Sequence, residues 1–116
     1  MPSVRRLGTD AEDRAATYLL DKGYTIVTRR YKASRGEIDL VALDGDVLVV
    51  VEVKQRTKPG YMPEESVGPL KASRLGMAAN EYLLSSGESN REVRFDLVCI
   101  DPDGVRHHVD AFRPSP

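Results

Sequence analysis

A single cysteine in 116 residues removes internal disulfides and cysteine-based zinc knuckles from consideration. Tryptophan is absent, and five tyrosines with two phenylalanines are too few for a platform on which bases stack. Charge of one sign is also missing. Seventeen Lys and Arg face 18 Asp and Glu, for a net charge of −1, so bulk electrostatics cannot drive association with nucleic acid. No stretch nears the ~20 apolar residues that a bilayer span requires. Residues 1–8 carry arginines with no apolar segment behind them, so a soluble, cytoplasmic chain with no membrane partner is expected. Neither an internal repeat nor a low-complexity segment is present. The length fits one domain, 1–116, with loose termini at about 1–8 and 113–116.

What is there is ordinary for a globular protein, with 41% hydrophobic and 30% charged residues. Thr9-Asp10-Ala11-Glu12 reads as a capping box that opens a helix running to about Lys22, with Ala11, Ala15, Tyr18 and Leu19 on its apolar face and Gly23 as its stop. A strand follows over 24–29, then two more over 36–43 and 46–54. Residues 57–65, with Pro59, Gly60 and Pro63, form a loop. A second helix starts between Val67 and Pro69 and stops at Gly87, weakened by Gly76 in its interior. Strands over 93–101 and 105–112 close the chain around Pro102-Asp103-Gly104. The order α-β-β-β-α-β-β describes an α/β protein with a central mixed sheet flanked by helices.

Two of these strands carry charge in a suggestive place. Asp44-Gly45 between apolar runs signals a hairpin. Side chains two apart share a strand face, so Glu37 sits with Asp39, and Glu52 with Lys54. A two-residue turn at Asp44-Gly45 sets Glu37 opposite Glu52, whereas a four-residue loop sets Asp39 opposite Glu52. Both registers gather Glu37, Asp39, Glu52 and Lys54 on one face. Strand 46–54 is otherwise nearly all aliphatic and reads as central and covered on both sides. Carboxylates crowded at the end of such a strand repel one another unless a cation intervenes. Oxygen ligands on a partly hydrated site suit Mg²⁺ or Mn²⁺, and Lys54 adds a point charge for a phosphate or developing oxyanion.

Basic residues flank this centre, with Arg29, Arg30, Lys32 and Arg35 entering it and Arg56 and Lys58 leaving it. A basic rim around acids fits a phosphodiester substrate, and these residues are the candidates for gripping a nucleic-acid backbone. His107 and His108 are neighbours on a strand, point to opposite faces, and cannot chelate one metal together. Asp96 is assigned to a surface pair or to an arginine such as Arg94. Cys99 and Tyr82 read as core residues.

An acid ending one hairpin strand, followed by Glu-x-Lys on the next, resembles the PD-(D/E)xK motif of the restriction-endonuclease-like superfamily. More narrowly, Gly36-Glu37-Ile38-Asp39-Leu40-Val41-Ala42, Val51-Glu52-Val53-Lys54, Arg94-Phe95-Asp96 and Glu12 resemble the YraN-like family of small bacterial proteins, from about Gly8 to Phe112. That family is grouped by similarity with archaeal-type Holliday junction resolvases. The resemblance implies a restriction-endonuclease-like core and a metal-dependent nuclease acting on DNA, branched or junction DNA included. Asp39 matches the first acid, Glu52 the second, Lys54 the lysine, and Glu12 the helical glutamate brought toward the metal. Asp39, Glu52 and Glu12 are then the metal ligands, with Glu37 an additional acid and Gln55 beside the site. Ile38 stands where the general motif has proline. A homodimer is expected by analogy with resolvases. The competing expectation is a catalytically silent module that binds nucleic acid or protein and retains the nuclease fold.

Overall fold

The computed structural model describes residues 10–56 and 67–114. Thr9 and the 57–65 loop, and with it Lys58, lie outside the described residues. Helix α1 spans Asp10–Asp21, strands β1, β2 and β3 span Thr25–Ala33, Gly36–Asp44 and Val47–Gln55, helix α2 spans Pro69–Ser86, and β4 and β5 span Val93–Asp101 and Gly104–His108. The five strands form one sheet in chain order. All neighbours are antiparallel except β3 and β4, which run parallel across the α2 connection.

The helices cover opposite faces. Ala15, Ala16 and Leu19 of α1 pack on Leu40, Ala42, Val49, Val51, Val98 and Ile100. Leu75, Ala78, Ala79, Tyr82 and Leu83 of α2 pack on Ile38, Val41, Leu48 and Val50. β3 is therefore buried on both sides, which is why its pattern is continuous rather than alternating. The mixed α/β architecture agrees with the reading of the sequence.

Three details differ from that reading. β1 runs on to Ala33, through the basic residues Arg29, Arg30 and Lys32. It is an edge strand, where outward charge costs little and discourages pairing with other chains. β5 stops at His108, because Asp110 takes a left-handed conformation at φ 55° and turns the chain away. The hairpin turn is Gly45-Asp46, with Gly45 at φ 60°, and Asp44 pairs with Val47. This puts Leu43 opposite Leu48, the register expected for the longer loop.

Strict alternation also fails in β2. Ile38 and Val41 face α2, while Leu40 and Ala42 face α1, so the side-chain sequence slips at Asp39. Its neighbour across the ladder, Arg30, has φ 55° and is missing from the paired residues, which resume at Tyr31↔Ile38. The two strands kink together. The kink releases Asp39 from the regular pleat at the end of the sheet where β3 finishes.

Candidate functional site

Asp39 and Glu52 come together as the hairpin opens. The regular β2–β3 ladder ends at Leu40↔Val51. One step further, the Asp39 carboxylate accepts the backbone N–H of Val53 at 2.8 Å, replacing a backbone carbonyl in the ladder. Burial, and next the charge of Glu52, push the Asp39 carboxyl up from 3.8 to about 7, although the Val53 N–H pulls the other way. Glu12 on α1 adds a smaller push in the same direction.

Glu52 is nearly inaccessible, its side chain 4% exposed, and two ammonium groups converge on its Oε2. Lys54 Nζ lies 3.4 Å away, from two residues on in β3. Lys71 Nζ, from the first turn of α2, lies 2.5 Å away. Burial and the adjacent Lys71 lower the Lys54 ammonium below its ordinary value. For Lys71, burial is outweighed by the contact with Glu52, and its value is raised. A cleft of about 380 Å³ is bounded by Arg35, Gly36, Glu37 and Arg74 as well as by Asp39, Glu52 and Lys71, while Lys54 lies outside its lining.

The donor set suits a hard divalent cation. Two carboxylates on adjacent strands line one cleft, whose open side leaves room for waters and a phosphate oxygen, the usual surroundings of Mg²⁺. Nothing among these groups is a soft ligand. A third acid is not within reach: among the described residues no three His, Cys, Asp or Glu side chains gather closely enough to enclose a metal. Glu12, the expected third ligand, is held by Arg30, whose Nε donates to Oε1 at 3.1 Å.

The protein-family model described as "Uncharacterised protein family UPF0102" matches residues 11–100. The chain belongs to the UPF0102 family. A UPF0102 protein of Rhodococcus jostii (strain RHA1) is 46% identical over 112 residues, covering 91% of this chain and 95% of the relative. Another, of Anaeromyxobacter dehalogenans (strain 2CP-C), is 44% identical over 111 residues, covering 91% and 83%. A third, of Pelotomaculum thermopropionicum, is 41% identical over 120 residues, covering 97% and 100%. The YraN-like resemblance read from the motifs is thus the family of the chain.

The other expected site residues of this UPF0102 chain fall in different places. Glu37 is exposed at the cleft rim, opposite Lys32 on β1. Arg29 and Arg30 tie the edge strand to α1, through Asp13 at 2.6 Å and Glu12. Lys32 is exposed on β1, and Arg35 is exposed in the turn that borders the cleft. The backbone N–H of Arg56 donates to the Ile100 carbonyl at 2.9 Å, just past the end of β3. Lys71 and Arg74 escaped the sequence reading. The signal for Lys71 was present in one respect: a lysine in the first turn opposes the positive end of the helix dipole.

A second polar cluster lies on the α1 face. Asp96 is fully buried, which rules out the surface pair and leaves the other expected partner, Arg94, among the donors that satisfy it. Arg94 grips it through Nε at 2.9 Å and Nη2 at 3.0 Å, His107 Nε2 lies at 2.8 Å, and the Asp110 N–H donates at 3.0 Å. Burial would raise this carboxyl, but the bonds from His107, Arg94 and Asp110 outweigh it and hold it below the usual range. Arg94 also reaches Asp44 and the Tyr24 hydroxyl. The cluster locks β4, β5, the hairpin turn and the start of β1 together. None of its residues lines the cleft beside Asp39.

Proposed function

We propose that this chain is a metal-dependent nuclease with a restriction-endonuclease-like core, hydrolysing phosphodiester bonds in DNA, with branched or junction DNA among its substrates. One observation carries the reading. Half-buried Asp39 and buried Glu52, on adjacent strands, line one cleft, and Lys54, two residues on from Glu52 in β3, lies 3.4 Å from the Glu52 carboxylate. Crowding two acids under cover is unfavourable, and the rise of the Asp39 pKa toward 7 expresses that cost. A bound Mg²⁺ or Mn²⁺ would relieve it and supply charge neutralisation and activation of water for attack on phosphorus. Asp39 and Glu52 would hold the ion. Lys54 orients the attacking water or neutralises the charge that develops on the phosphoryl oxygens. Arg35 and Arg74 stand at the rim, where a nucleic-acid backbone would pass. The family description alone names no activity.

The test is cleavage of single-stranded, duplex, flapped and four-way-junction DNA and structured RNA with Mg²⁺ or Mn²⁺. Asp39→Ala and Glu52→Ala run in parallel. Metal-dependent cutting lost in both variants is the expected result. Cutting that survives them would remove these residues from the chemistry.

A second reading has its own support. With both ammonium groups already on Glu52, and Glu12 paired to Arg30, these two acids are satisfied without a metal, as in a silent binding module. A nuclease should gain thermal stability from Mn²⁺ by mass action, and Asp39→Asn should lose that gain. Melting that ignores Mn²⁺ favours the module.

A further inference from the structure

The position of Lys71 departs from what its helix prefers. Gly68 is the N-cap of α2 and Pro69 the first helical residue, so Lys71 occupies the third helical position. Acids stabilise that turn and cations oppose its dipole, yet the turn contains no acid, and the N-cap offers no side-chain bond to the free N–H groups. A residue that breaks a local rule is held there by something else. Here it is Glu52, 2.5 Å from the Lys71 ammonium and closer to it than to Lys54.

The two lysines are not equivalent. Lys54 belongs to the sheet and is 24% exposed, while Lys71 is 41% exposed at the mouth of the cleft. Its long stem can swing into solvent without repacking the core. Glu52 cannot follow. Its carboxylate is buried, and without Lys71 it would keep only the longer contact with Lys54, at 3.4 Å, which is unfavourable for a buried charge. Departure of Lys71 is therefore favoured when another cation takes its place. A divalent ion between Asp39 and Glu52 would be such a cation, and it would repel an ammonium group already touching Oε2.

We propose that Lys71 is an internal counter-cation that closes the Asp39–Glu52 site, and that a divalent metal and Lys71 compete for Glu52, so that metal entry expels the ammonium group toward the cleft mouth. This rests on the metal-site part of the preceding reading but does not require turnover. Expulsion would set a positive charge beside Arg35 and Arg74, where a phosphate would meet it. Occupation of the site and capture of the backbone would then be linked through one side chain.

Mn²⁺ alone is the probe, its free concentration followed by electron paramagnetic resonance, with no nucleic acid present. Lys71→Met should bind Mn²⁺ about tenfold more tightly than the parent chain, since the competitor is gone. Lys71→Arg, which keeps the charge, should not. In the parent chain, Mn²⁺ should also increase the rate at which Lys71 is acetylated by an amine-reactive reagent, read by mass spectrometry. Unchanged or weaker Mn²⁺ binding by folded Lys71→Met, with binding lost in Asp39→Asn, would overturn the competition and leave the metal site standing. No Mn²⁺ binding to any of these chains at millimolar concentration would overturn both. Tighter binding by Lys71→Met, with no cleavage in the substrate panel, would uphold the competition and sink the nuclease.

Discussion

At the scale of single residues, Asp39 makes the sharpest statement about pH. Its carboxyl is raised in the folded chain to about 7 from 3.8, so between those values the folded state binds the extra proton. Stability contributed by the protonated form is then fully present below about pH 4, declines as pH rises, and is gone above about pH 7. The decline should amount to roughly 2–4 kcal/mol. Asp96 works in the opposite sense, because its lowered carboxyl adds stability above the unfolded pKa and loses it in acid. Comparison with Asp39→Asn separates the two. In urea titrations with chelator present, the parent chain should lose stability relative to Asp39→Asn between pH 4 and pH 7. Parallel pH profiles for the two proteins would mean that Asp39 is not crowded. Glu52 and Lys54 were legible because residues two apart on a regular strand share a face, whereas Asp39 was found through the resemblance, since the slip in β2 that parts it from exposed Glu37 had no local signal. Lys71 was not legible, since its place against the helix dipole marks it as unusual but its approach to Glu52 depends on how α2 docks, a tertiary fact. Asp96 was half legible: its partner Arg94 lies two residues away, but its burial follows from α1 covering that end of the sheet.

At the scale of elements, the long aliphatic run of β3, the apolar face of α2 and the glycine stops read directly, whereas the extension of β1 did not. Charges at 29, 30 and 32 look like a solvated turn until the edge position of the strand is known. Gly76 looked like a flaw in α2 and has a positive explanation. A Cβ built there would stand 2.6 Å from Pro114 Cβ and 3.0 Å from its Cγ, so the helix leaves a gap that the chain's last described residue fills. Gly76→Ala alone should therefore destabilise the fold by about 1 kcal/mol or more, although alanine favours a helix interior by about that amount. In a Pro114→Gly background the same substitution should reverse sign and stabilise by roughly 0.5–1 kcal/mol. A double-mutant cycle by urea denaturation reads the coupling directly. Additive effects would show that the C-terminal segment does not rest on α2.

At the scale of the whole molecule, the near-neutral charge decides how a nucleic acid could be held. A net charge of −1 provides no long-range pull, so binding must come from the few cations gathered at one cleft. Arg29 and Arg30 pair with acids of α1, which among the described residues leaves Arg35, Arg74 and the Lys71 ammonium as the cations bordering the cleft. The number of phosphates neutralised should be correspondingly small. With a short duplex and Ca²⁺ as a non-turnover ion, log K against log salt should fall with a slope of about −2 to −4, as counterions are released from two to four phosphates. Arg35→Ala and Arg74→Ala should each make that slope shallower by about one and weaken binding on every sequence alike. Arg29→Ala should leave the slope unchanged while loosening the contact between β1 and α1, which a lower melting temperature would register. The opposite pattern, with Arg29 changing the slope and the cleft arginines silent, would move the nucleic-acid track to the β1 edge. That outcome would separate DNA binding from the carboxylates, because an edge track passes Asp13 and Glu12 rather than the mouth above Asp39 and Glu52.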